Sequence, residues 1–165
     1  MDLQKWFGQQ LQTSGDVFAW AVDQVPGERL QASPPLSLGE WTATRHVFHM
    51  LFYEKTLALP SMNQWLGAPT PVLGSLSKAE EAAYDPSMRT SDLLTQFVEV
   101  RQQQITLLSR FPRFAWEEPR SAVWGSVTLR WVLTKTLQHT AEHTHDVLRL
   151  SLFWDMNLAR QKTNG

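Results

Sequence analysis

One stretch limits the fold of this chain more than any other, the run from Thr128 to Asp155, TLRWVLTKTLQHTAEHTHDVLRLSLFWD. It contains no Pro or Gly and is rich in Leu and other good helix formers, so it predicts one long α-helix. Alternating steps of four and three residues place one stripe on a single side of that helix: Val132, Thr136, His139, His143, Asp146, Leu150 and Phe153. Both ends of this stripe are apolar, as expected of a seam that faces the core. Its middle is polar.

Two histidines occupy the middle of this seam. His139 and His143 are one helical turn apart, so their side chains point the same way. Burying such groups without partners would cost roughly 1–3 kcal/mol each. A divalent metal ion would satisfy both at once, and the spacing suits it. The pair therefore predicts a metal site.

The rest of the chain predicts three further main helices and one short one. Apolar residues recur at helical spacing near the N-terminus until Pro26-Gly27. The second helix is apolar almost all round, which predicts burial on more than one side. Pro60 is expected to interrupt it, after which the helix could resume briefly through Trp65. The fourth begins near Thr90 or Ser91 and turns Leu94, Phe97, Val98, Ile105 and Leu108 inward. The predicted helices before the long one are 2–25, Glu40–Leu59, a short polar helix over 77–84 capped by Ser77, and a helix ending near Arg110.

Four main helices joined by long connections predict an all-α, four-helix bundle with a long connection between the second and third main helices. Pro and Gly mark loops over Glu28–Gly39 and Gly67–Gly74, while residues 111–127 could form a loop or a short hairpin. We expect one domain over residues 1–158, followed by a polar, frayed tail over 159–165.

Composition excludes several classes of function. The net charge of −1 gives no electrostatic case for binding nucleic acid or an anionic membrane. The absence of Cys excludes disulfides, thiolate zinc sites and a Cys nucleophile. We find no signal-peptide pattern and no apolar run long enough to span a membrane, and we expect a cytoplasmic protein. The eight Trp residues are expected to fill gaps between helices or, for some, to line the rim of a substrate cleft.

His49 supplies a third imidazole, because it lies inside the apolar second helix. Three imidazoles from two helices would leave one coordination position open for water or substrate. His46 could take the place of His49, and the sequence leaves both possibilities open. His145 faces away from His143 and is expected to be a surface histidine.

Three further side chains are candidates for supporting roles. Asp146 lies one turn beyond His143 and could hold a ligand imidazole from outside the coordination shell, or accept a hydrogen bond from a loop. Tyr53 follows His49 by one turn and could be a proton donor, or an aromatic residue with a satisfied hydroxyl. Glu142 completes an HxxEH pattern and could be a general base or a solvated glutamate. No GxSxG, P-loop or GxGxxG pattern is present.

Two runs carry a family resemblance, WTATRHVFHMLFYE from Trp41 to Glu54 and HTAEHTHDV from His139 to Val147. They are similar to the second-helix and last-helix motifs of the DinB-like (DNA-damage-inducible) four-helix-bundle proteins. In that family, as here, a Trp precedes the first metal-binding His by eight residues, and the last helix carries HxxxH. This chain departs from the family at His145 and Asp146, where Gly and Gln are usual.

The resemblance implies an up-down-down-up bundle in which His49, His139 and His143 bind zinc or nickel, with dimers frequent. Relatives include thiol S-transferases that use bacillithiol or glutathione-like cofactors, and mycothiol-dependent isomerases. We therefore expect a metal-dependent enzyme that activates a low-molecular-weight thiol or water against a small electrophilic substrate. The alternatives are a non-catalytic metal-binding, ligand-binding or stress-response module, and a metal-free bundle that dimerises through Trp-rich faces.

Overall fold

The computed structural model describes residues 2–71 and 75–163, with side chains described as far as Met156. Its α-helices are α1 Leu3–Asp23, α2 Ala43–Tyr53, α3 Leu59–Asn63, α4 Leu76–Ala83, α5 Thr90–Leu108 and α6 Leu129–Thr163. A two-stranded antiparallel hairpin, β1 Arg120–Ala122 and β2 Gly125–Val127, precedes α6. Short 3-10 turns lie in the connections. None of the described helices is long and apolar enough to cross a membrane.

The four long helical stretches pack as a bundle, which confirms the predicted fold class. α1 packs against α5 and α6, and α2 packs against the same two helices. The core has two main clusters, one around Phe18, Val47, Phe97 and Leu150 and the other around Phe7, Leu11, Trp116 and Leu133. The histidines of α2 and α6 lie on elements that these clusters hold rigidly.

The first two long helices begin where their capping residues stand. The Asp2 carboxylate accepts a hydrogen bond from the Lys5 backbone N–H at the start of α1, and the Thr42 hydroxyl accepts one from the Arg45 N–H at the start of α2. α1 ends at Asp23, close to the predicted end.

The chain is helical beyond Pro60 as far as Leu66, as the expected resumption through Trp65 has it, but a widened turn before the proline takes the place of a break. A π-helical turn over Glu54–Ala58 joins α2 to α3, and the Leu59 N–H donates to the Glu54 carbonyl. In an uninterrupted α-helix the Pro60 ring would clash with the carbonyl four residues earlier, and it has no N–H to donate. Widening the turn just before the proline accommodates it without ending the helix. The helical segment ends before Gly67, whose φ of +93° favours glycine.

Shorter elements correct the prediction in detail. α4 begins at Leu76 with Ser75 in the N-cap position, so Ser77 lies inside the helix and is not its cap. Residues 111–127, for which the sequence left a loop or a short hairpin open, form a 3-10 turn followed by the hairpin. In that hairpin Ala122 pairs with Gly125. Residues 72–74 of the predicted loop lie outside the described residues.

Two inward-facing predictions are wrong for a geometric reason. On α6 the side chain of Phe153 is 41% exposed and Trp154 is buried in its place. The stripe assumed 3.5 residues per turn, and a straight α-helix drifts by about 20° per heptad from that repeat. Val98 on α5 is likewise exposed, whereas Phe97 is buried. α6 continues to Thr163, into the segment 159–165 that was predicted as the tail, and residues 164–165 lie outside the described residues.

Candidate metal centre

The structure brings together the three histidines that the sequence singled out. His49 comes from α2, and His139 and His143 come from α6. Each offers a ring nitrogen within 4.8 Å of those of the other two. The Nε2 atoms of His49 and His139 are 3.1 Å apart. The ring centroid of His143 lies 4.7 Å from those of both other histidines. One divalent ion could reach all three rings.

Threonines explain how the polar middle of α6 can face the bundle. Thr136, Thr140 and Thr144 are buried, and each hydroxyl donates to the backbone carbonyl four residues earlier. These side chains therefore satisfy their own polar atoms within the helix. The histidines between them are the groups that need partners from elsewhere.

Burial keeps the α6 imidazoles neutral. Desolvation, with smaller contributions from His49 and Lys135, lowers the pKa of His139 to about 3. Desolvation, reinforced by the neighbouring histidines, lowers the pKa of His143 to about 2. Both rings are therefore uncharged at neutral pH, which is the state in which histidine binds a metal.

Glu80 joins the site although sequence reasoning missed it. Its carboxylate Oε1 accepts a hydrogen bond from His49 Nδ1 at 2.9 Å, so His49 Nε2 carries the lone pair that faces His139. Arg45 donates from Nη2 to Glu80 Oε1 at 3.2 Å and to Glu81 Oε2 at 3.0 Å. The only sequence signal was Arg45, a cation inside an otherwise apolar helix that needs a buried carboxylate. Nothing in the polar pattern of α4 distinguished Glu80.

Trp41 lies against the histidine cluster. Its ring stacks nearly parallel to that of His143 at 6.0 Å and lies 5.0 Å from that of His49. The Arg45 guanidinium covers the same indole at 5.3 Å. Other tryptophans fill the core, among them Trp65, Trp116 and Trp154.

The two candidate catalytic residues occupy different environments. The Tyr53 ring lies 4.1 Å from the His139 ring, with its hydroxyl buried beside Thr136. Burial raises the pKa of Tyr53 to about 12, so the phenol stays protonated at neutral pH. Glu142 is exposed on α6, where it accepts a hydrogen bond from the Gln138 amide. His145 is exposed, as predicted.

His46 and Asp146 form a second group with His143. The Nδ1 atoms of His46 and His143 are 2.9 Å apart, and an Asp146 carboxylate oxygen lies within 4.8 Å of the histidine nitrogens. Burial, opposed by Asp146, lowers the pKa of His46 to about 4. His46 therefore does not replace His49 in the three-histidine group but adds a neighbouring one.

The residues fit the divalent metal that the family resemblance implies. Three neutral imidazoles suit zinc, nickel and similar first-row ions and leave at least one coordination position open. The facing Nε2 atoms of His49 and His139 can share only one proton between them, whereas an ion would use both lone pairs. The carboxylate on His49 Nδ1 is the usual outer support of a metal-bound histidine.

Comparison with known proteins identifies the family and the fold. The sequence matches the profile of the DinB superfamily over residues 10–147. The structure is similar to that of YfiT from Bacillus subtilis, described as a probable metal-dependent hydrolase with an unusual four-helix bundle topology. The TM-score is 0.71 at 18% sequence identity, over 92% of this chain and 87% of YfiT. No curated protein matches the sequence.

Proposed function

This chain belongs to the DinB superfamily, and we propose that it is a metal-dependent hydrolase of a small electrophilic substrate. The observation that carries the proposal is the convergence of His49, His139 and His143, with ring nitrogens within 4.8 Å of one another. The description of YfiT supports hydrolysis as the reaction class. Zinc or nickel is the proposed ion, because the donor set contains only imidazoles.

A bound ion would supply Lewis acidity, lowering the pKa of a coordinated water toward about 7. The chain provides the geometry around it. Glu80 holds the His49 ring through Nδ1 and so directs Nε2 at the site. The α6 backbone fixes His139 and His143 one turn apart. These restraints set the site up before substrate arrives, which avoids the cost of ordering it during the reaction.

Tyr53 and Glu142 are proposed to handle protons. A phenol with a pKa of about 12 can donate a hydrogen bond, or a proton, to a substrate atom that gains negative charge. Glu142 is exposed next to His143 in the chain and would accept a proton from the attacking nucleophile at the solvent side. Equal turnover by Tyr53→Phe or Glu142→Gln and the wild type would remove that residue from the mechanism.

The same site could activate a thiol in place of water. The chain has no Cys, so the thiol would have to be a low-molecular-weight cofactor. The two reactions are separated by adding thiol to an assay with an electrophilic reporter. Turnover without thiol supports hydrolysis, whereas turnover that depends on thiol supports transfer and overturns the hydrolase proposal.

The decisive experiment measures metal content and turnover together. Purified wild type is expected to hold about one zinc or nickel ion per chain by elemental analysis and to hydrolyse activated esters or amides. His139→Ala and His143→Ala should lose the ion and the activity with unchanged helicity by circular dichroism. His145→Ala is the matched control, because it removes an exposed histidine from the same helix.

Two results would overturn the proposal. One is metal content in His139→Ala equal to that of the wild type. The other is a metal-loaded wild type that turns over no ester, amide or thiol-dependent substrate, which would favour a non-catalytic metal-binding module.

A further inference from the structure

A second set of metal-ligating atoms lies beside the proposed centre and shares only His143 with it. His46, from the first turn of α2, is buried with 7% of its surface exposed. Its Nδ1 is 2.9 Å from the Nδ1 of His143. An Asp146 carboxylate oxygen completes a group whose ligand atoms lie within 4.8 Å of one another. This group adds a carboxylate that the three-histidine group lacks.

Other contacts of these side chains leave the group available. Asp146 approaches Arg149 only at 3.9 Å, too far for a hydrogen bond, and Arg149 donates instead to the Ser37 carbonyl. The Trp41 ring packs against both histidines, at 5.4 Å from His46 and 6.0 Å from His143. An aromatic wall of this kind fixes the ring orientations without consuming their nitrogens.

We propose that His46, His143 and Asp146 form a second divalent-cation position, distinct from the three-histidine centre and sharing His143 with it. Two imidazoles and one carboxylate are the donor set that proteins use for ferrous iron and related first-row ions. The carboxylate supplies one negative charge, so this position favours harder ions, such as Fe²⁺ or Mn²⁺, more than the all-imidazole centre does. The inference goes beyond the proposed function, since it requires no catalysis.

The two positions are alternatives for a single ion. A neutral imidazole has one lone pair, because its other nitrogen carries the proton. His143 can therefore serve one ion at a time unless it loses that proton as well. Two divalent ions bound this close together would also repel each other strongly, because the Coulomb energy scales with the product of their charges.

The test removes the first position and asks whether the second still binds. The double variant His49→Gln/His139→Gln keeps His46, His143 and Asp146, and it is titrated with Co²⁺, whose visible spectrum reports coordination. We expect binding of about one Co²⁺ per chain, more weakly than in the wild type. Adding Asp146→Asn should weaken that binding at least about tenfold. Adding His145→Gln is the control and should leave it unchanged.

The proposal is overturned if the double variant binds no Co²⁺, or if Asp146→Asn leaves its affinity unchanged. If circular dichroism shows that the double variant is unfolded, the same comparison is made in the single variant His139→Gln. There too, loss of the carboxylate must weaken Co²⁺ binding about tenfold. The outcome is separate from that of the proposed function, which depends on the ion and the activity of the wild type.

Discussion

Two polar clusters cross the interior of this bundle, and they are built in opposite ways. One is the histidine centre between α2 and α6. The other surrounds Arg101 of α5, which pairs with Glu54 in the π turn and is 3% exposed. Both reach α6 at adjacent residues, His139 in one cluster and Thr140 in the other. They thus share a backbone but differ in how completely their polar atoms are paired.

Every N–H of the Arg101 guanidinium has an acceptor. Nε and Nη2 donate to the two oxygens of Glu54, and Nη2 also donates to the Thr140 hydroxyl at 2.8 Å. Nη1 donates to the Leu11 carbonyl at 3.2 Å and to the Ser14 hydroxyl at 3.0 Å. One side chain therefore connects α1, the π turn, α5 and α6.

The Arg101–Glu54 pair has one gap beside it, because Oε1 of the neighbouring Gln104 is buried without a hydrogen-bond partner, whereas in the histidine centre a candidate ligand atom itself lacks one. His139 Nε2 and His49 Nε2 can form one hydrogen bond with each other, but His139 Nδ1 is buried without a hydrogen-bond partner. A saturated buried network fixes the relative positions of helices, whereas an unsaturated group of neutral donors is free to take a ligand. The Arg101 cluster therefore holds the helices in place, whereas the histidine centre is suited to bind a ligand.

The largest effect is expected from breaking the saturated cluster. Arg101→Met would leave the Glu54 carboxylate buried without its cation and should lower the free energy of unfolding by about 3–5 kcal/mol. Urea denaturation followed by circular dichroism measures the loss. A loss below about 1 kcal/mol would contradict a structural role for the pair.

The matched control removes both charges. Glu54→Leu with Arg101→Met should recover much of the stability, because no unpaired charge remains in the core. Recovery in the double variant would show that the single variant fails through the orphaned carboxylate, not through lost packing.

A smaller effect is expected at the unsaturated cluster, from the carboxylate that supports it. Glu80→Gln should lower metal affinity by about 10–100-fold, because the amide holds His49 Nδ1 more weakly than the carboxylate does. Isothermal titration with Zn²⁺ measures the change. Glu81→Gln is the control, since Glu81 contacts Arg45 but has a largely exposed side chain. Equal losses in both variants would attribute the effect to Arg45 and not to His49.

The bundle could be predicted because its evidence is local. Helix formers without Pro or Gly predicted α6, and Pro26-Gly27 predicted the end of α1. The drift of the stripe at Phe153 and the passage through Pro60 could not be predicted in the same way. The error at Phe153 came from assuming 3.5 residues per turn. The widened turn that carries the helix through Pro60 depends on local winding, which residue spacing does not record.

The histidine centre was predictable as far as spacing reached. His139 and His143 are one turn apart, and His49 stood out as polar in an apolar helix. The pairing of Glu80 with His49 depends on how α4 folds back over α2, a contact between segments 31 residues apart. The neighbouring group of His46, His143 and Asp146 likewise requires the registry of α2 against α6. These two features therefore depend on how the helices pack against each other, which the sequence motifs do not specify.

The smallest effect per residue is expected from pH, and it concerns the histidine cluster. In metal-free protein the folded-state pKa values of His46, His139 and His143 lie near 4, 3 and 2, below the ordinary value of 6.5. The unfolded chain therefore takes up more protons as pH falls below 6.5, and stability is lost in that direction. From pH 8 to pH 6 the loss should be about 0.8 kcal/mol per histidine, measured by urea denaturation in EDTA. His143→Gln should make the total loss of stability smaller by about 0.8 kcal/mol, the contribution of one histidine. A loss that the substitution leaves unchanged would mean that the His143 ring is not held neutral by burial.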